Sequence, residues 1–88
     1  MKDKINYDKY HIRILNNMFL AKIIGEKHTS EDNVVKGFKK SDRGIARKRL
    51  KDLIKQNLIV QKIAGYGMQV SLNPKLIIEI KDIIEKSA

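Results

Sequence analysis

The sequence predicts an α+β fold built from three helices, a two-stranded β-hairpin and a C-terminal helix. Three observations carry that expectation. Apolar residues recur at helical spacing from Tyr10 to Ile54, as in helices with a buried face. Beyond Leu58 the period shortens to that of a strand, in β-branched runs on either side of Gly65-Tyr66-Gly67. Asn73-Pro74 then restarts a helical stripe, with a cap followed by a proline suited to the first turn.

Residues 1–6 are expected to form a loose arm. The first helix is expected over residues 8–24, ended by Gly25. Tyr10, Ile14, Leu15, Met18 and Ala21 make one apolar stripe along it. Ile12, Phe19 and Ile23 make a second, on roughly the opposite side. A helix apolar on both sides is usually covered on both, and in so short a chain the second cover calls for a partner.

Thr29 or Ser30 can cap a short second helix, with Glu31 and Asp32 in the first turn, where the helix dipole favours anions. Val34, Val35 and Phe38 would point inward, and Gly37 marks the turn. Ser41 or Asp42 then caps a third helix over about residues 42–56. On a helical wheel Ala46, Leu50, Leu53 and Ile54 share one face, flanked by Ile45. Gly44, Lys48, Lys51 and Lys55 lie opposite, with Arg47 and Arg49 at the two edges.

Strands are expected in the runs LIVQKIA and MQVSL. In the second, Met68, Val70 and Leu72 alternate with Gln69 and Ser71, as in a strand with one wet face. The last helix, residues 74–86, carries Leu76, Ile77, Ile80, Ile83 and Ile84 on one stripe.

Charge is the other strong signal. Residues 36–55 hold nine of the chain's 19 Lys and Arg against two acids, so this quarter of the length carries +7 of the net +9. A field that local, on a helix of the right shape to enter a groove, points to nucleic acid. The 88 residues read as one domain, 1–88, with no cysteine and therefore no disulfide, thiolate metal site or cysteine nucleophile. Long apolar runs are absent and MKDKINYDKY lacks the apolar core of a signal peptide, so the expectation is a cytoplasmic, nucleoid-associated protein. On the last helix Lys75, Lys81 and Lys86 are balanced by Glu79, Asp82 and Glu85, unlike the basic face of a lipid-binding helix.

Catalysis finds little to work with. His11 lies within the first helix, His28 lies in a polar loop, and no spacing matches a zinc set. The glycines are too dispersed for a phosphate loop. The expectation is no enzyme, no cofactor, no metal and no small-molecule ligand.

The order helix, helix, helix, strand, strand, helix resembles the winged helix-turn-helix superfamily over roughly residues 10–73. Its carriers are TSEDNVVKGF, the run SDRGIARKRLKDLIKQNLIV in which a helix leads straight into a strand, and the GYG-tipped hairpin ending in SLNP. The resemblance implies that the third helix enters the major groove of double-stranded DNA and that the hairpin, or wing, touches the neighbouring backbone. Arg43, Gly44, Arg47 and Lys48 are then the candidates for base edges, since the N-terminal half of such a helix reaches deepest and arginine can fork onto guanine. Lys39, Lys40, Lys51, Lys55 and Lys62 are candidates for phosphates, together with the hydroxyls of Ser30 and Ser41. Tyr66 at the wing tip either meets the DNA backbone or is simply a turn residue, and the tip lacks the Arg or Lys that many wings carry.

A homodimer is expected, formed by Ile77, Ile80 and Ile84 of the last helix with Ile12, Phe19 and Ile23 of the first; the other possibility is that these faces close on each other within one chain. The favoured function is a small transcriptional repressor that occludes its site. A replication or plasmid- or virus-maintenance factor, and a winged-helix module that binds proteins, stand as alternatives.

Overall fold

Asp8 opens the first helix of the structure, a computed structural model that describes residues 6–65 and 67–87. Its carboxylate accepts the amides of Tyr10 and His11, while His11 Nδ1 accepts the Asp8 amide at 2.9 Å. This is a capping box in which histidine stands where glutamate or glutamine is usual. Helix α1 (Lys9–Leu20) buries Ile14, Leu15 and Met18.

The helix ends before Gly25. Ile23 N–H reaches the Met18 carbonyl and Lys22 N–H the Phe19 carbonyl, with Lys22 at φ 58°. That pair of bonds is a Schellman ending with lysine in the left-handed position. Ile23 and Ile24, expected on the helix, instead run beside Leu72: Leu72 N–H donates to Ile23 and Gly25 N–H donates to Leu72. Gly25 is also left-handed, at φ 65° with Pro74 against it, so a side chain there would be strained.

Strand β1 (Thr29–Ser30) leads directly into α2 (Glu31–Lys36), where Ser30 Oγ accepts the Asn33 amide at 3.0 Å. A 3-10 turn (Lys40–Asp42) enters α3 (Arg43–Lys55), which ends in a second Schellman pair with Asn57 at φ 66°. Neither Ser41 nor Asp42 caps α3 with a side-chain bond; the Asp42 carboxylate lies 3.5 Å from the Tyr10 hydroxyl instead.

Strands β2 (Ile59–Ala64) and β3 (Gly67–Leu72) pair antiparallel from Ile59 with Leu72 to Ala64 with Gly67. The sheet has three strands, not two, in the order β1-β3-β2. Thr29 faces Val70 and Ser30 faces Gln69, a strand too short to leave a period in the sequence. The expected wet face of β3 is covered: Gln69 and Ser71 are buried along with Val70 and Leu72, and His28 Nδ1 sits 3.1 Å from Gln69 Oε1. Met68, expected inward, is half exposed beyond the end of the core.

Asn73 accepts the Lys75 amide over a second 3-10 turn (Pro74–Leu76), and α4 (Ile77–Lys86) follows. One apolar cluster joins the four α-helices to β2 and β3: Ile14, Leu15 and Met18 with Val35, Phe38, Leu50, Leu53, Ile59, Leu72 and Ile80. Ile80 is fully buried inside the single chain. It is a core residue and cannot lie on a dimer surface, a correction that follows from α4 packing on α1. Phe19, Ile23, Ile77 and Ile84 are half-buried against the same core, and Ile12 is half-buried. Among the described residues no helix is long and apolar enough to cross a membrane.

Candidate functional site

Helix α3 turns Ala46, Leu50 and Leu53 into the core, which fixes what it shows to solvent. The residues opposite, Gly44, Lys48, Lys51 and Lys55, are all exposed. None of these lysines is paired with a carboxylate among the described residues. Lys39, Lys40 and Ser41 extend the exposed basic surface onto the turn before the helix, and exposed Lys36 closes α2. A Cβ on Gly44 would meet nothing within 4 Å, so packing inside the chain does not require glycine there.

The three arginines of α3 behave differently from the lysines. Arg43 points back to α2: its Nε donates to the Phe38 carbonyl at 3.1 Å and its Nη2 to the Lys36 carbonyl at 3.2 Å. Arg49 points to the start of α1, where Nε donates to Asp8. Arg47 stays on the exposed rim, with Nη2 donating to Asp32 Oδ1 of α2 at 2.9 Å.

Where α3 meets the start of α1 lies a polar network that no spacing in the sequence announces. His11 Nε2 lies 3.0 Å from Asp52 Oδ2, and His11 Nδ1 accepts the Asp8 amide. Since Nδ1 accepts, the proton sits on Nε2 and is donated to Asp52. Burial alone would raise the Asp8 carboxyl, but the hydrogen bond and charge of Arg49 and the bond from the His11 amide hold it below the ordinary carboxylate range. The Asp8 hydrogen bond likewise raises Arg49 above its usual value. Tyr7, whose ring meets His11 edge-on at 5.4 Å, is raised by burial. These groups fasten the start of α1 to the middle of α3.

Other candidates lie apart from α3 or serve the fold. Ser30 is occupied as the cap of α2. Lys62 is exposed on β2, and Ile63 beside it is 85% exposed. Tyr66 lies outside the described residues. Among those described, no group of His, Asp and Glu is arranged to hold a metal ion.

Two functional-looking contacts escaped the sequence, Arg47 to Asp32 and Arg49 to Asp8. Both join residues far apart in the chain, and no local spacing announces them. Comparison with protein-family models, curated proteins and solved structures finds no match to the chain.

Proposed function

We propose that the chain is a winged helix-turn-helix protein that binds double-stranded DNA in a sequence-specific way, most simply as a small transcriptional repressor acting by occlusion. One observation carries it: nine basic residues fall within residues 36–55 and the lysines of α3 all lie on its exposed side, opposite a fully apolar one. Lys51, Lys55, Lys39 and Lys40 would neutralise phosphates, and Arg47 and Lys48 would reach base edges in the major groove. Arg43, held by α2 carbonyls, serves the turn geometry instead. The β2–β3 hairpin corresponds to the wing, with Lys62 as its backbone contact.

A homodimer would place two copies of α3 on successive major grooves. With Ile80 inside the core, it would have to use what α1 and α4 leave outside, of which Leu20 and Ile78 are the most exposed apolar residues.

The test is selection from a random double-stranded DNA pool at near-physiological salt. An enriched motif with two symmetric halves is the expected result. Absence of binding overturns the proposal and favours a protein-binding module.

A further inference from the structure

We propose that Asp32 is a positioning residue for base readout: its carboxylate fixes the Arg47 guanidinium with one edge free for guanine. The inference rests on the DNA-binding proposal above and deepens it.

Of the three arginines on α3, Arg43 is held by the Lys36 and Phe38 carbonyls and Arg49 by Asp8. Arg47 alone combines exposure with a defined direction. Its side chain is 50% exposed and that of Asp32 is 85% exposed, so the 2.9 Å bond lies on the open surface beside the basic face. The neighbouring acid, Glu31, is turned elsewhere and accepts from Gln61 of β2. Asp32 is therefore the acid of α2 directed at α3.

A guanidinium has five N–H donors. One Nη2 proton on Asp32 leaves the other Nη2 proton beside either Nη1–H or Nε–H, a parallel pair of the geometry that guanine O6 and N7 accept. Holding a long side chain in that orientation removes rotamer freedom before DNA arrives. Asp32 keeps acceptor capacity of its own, which suits the exocyclic amino group of a neighbouring cytosine or adenine. A carboxylate at this place repels phosphate, so it disfavours generic binding while it sharpens readout. The pair thus calls for a guanine next to a base whose major-groove edge carries an amino group.

The experiment compares the wild type with Asp32→Asn, Asp32→Glu and Arg47→Ala. Dissociation constants are measured at fixed salt for the selected site and for each single base-pair replacement in it. Arg47→Ala should remove the preference at one guanine. Asp32→Asn should weaken that same preference about two- to fivefold, the coupling expected of an exposed charge pair. It should also relax the adjacent position and tighten binding to unrelated DNA, and Asp32→Glu should restore much of the preference. Because Asp32 is so exposed, unchanged circular dichroism and only a small fall in melting temperature are expected for its variants. If Asp32→Asn shifts all sequences by one common factor, Asp32 acts only through net charge and the inference is overturned. A wild type that binds no DNA, or prefers no sequence, overturns the DNA-reading proposal itself and the inference with it.

Discussion

Arg43 and Phe38 are joined by a hydrogen bond from Nε to the main-chain carbonyl at 3.1 Å, across the turn between α2 and α3. Arg43 Nη2 also takes the Lys36 carbonyl, and Arg13 of α1 donates to the Gly37 carbonyl between them at 3.1 Å while lying 4.7 Å over the Phe38 ring. Three successive carbonyls at the C-terminal end of α2 thus meet guanidinium groups. That end of a helix carries its unsatisfied acceptors and its partial negative charge. Arg43 thus ties the start of α3 to the end of α2, and Arg13 ties that same end to α1.

Arg43→Ala should accordingly act on stability. Loss of two charge-assisted bonds at a half-buried site should cost about 1–2 kcal/mol, read as a lower urea midpoint with an unchanged slope. Base preference, once a site is known, should survive. A variant with wild-type stability but altered preference would return Arg43 to base reading.

Asp8→Ala removes the cap of α1 and the Arg49 contact together, and should cost about 1–2 kcal/mol at neutral pH. The sign of its pH dependence follows from the depressed carboxyl. The folded chain takes up this proton less readily than the unfolded one, so the contribution is complete above the ordinary carboxylate range. It fades as the pH falls through that range and then through the lower folded value. The gap between wild type and Asp8→Ala in urea should therefore narrow on acidification toward about pH 3. A gap that is the same at both pH values would mean that Asp8 has no net proton linkage.

Much of the architecture was legible because it is local. The cap at Asn73, the faces of α3 and the two hairpin strands each follow from spacing within a few residues. What escaped was non-local or too short. Strand β1 is two residues long, and its partner lies across the chain at Val70 and Gln69. Lysine at the left-handed end of α1 breaks the usual preference for glycine, so Gly25 was the natural but wrong stop. Among the candidate site residues, the helical period places the α3 lysines on the exposed side, since they need only point away from the core. The arginines could not be placed that way, because each reaches a group on another element.

Ile80 tests how α4 is used. It is fully buried within one chain, so Ile80→Ala should leave a cavity and cost about 2–5 kcal/mol. That is a large share of the roughly 5–15 kcal/mol that holds a small domain together. The melting temperature should fall steeply, with the sedimentation behaviour of the remaining folded fraction unchanged. A stable variant that merely loses self-association would instead move Ile80 to an interface.

Lys51 tests the electrostatic part of the proposed DNA contact. Its side chain stands on the exposed side of α3 without a carboxylate partner among the described residues. If it neutralises one phosphate, Lys51→Ala should reduce the slope of log affinity against log salt by about 0.9 and weaken all sequences alike. Lys86 is the control: it is exposed on α4 and lies 3.1 Å from Asp82, so Lys86→Ala should leave the slope as it is. Equal effects of the two variants would mean that DNA senses only net charge. No effect of Lys51→Ala would remove this face of α3 from the contact, and with it the observation on which the proposed function rests.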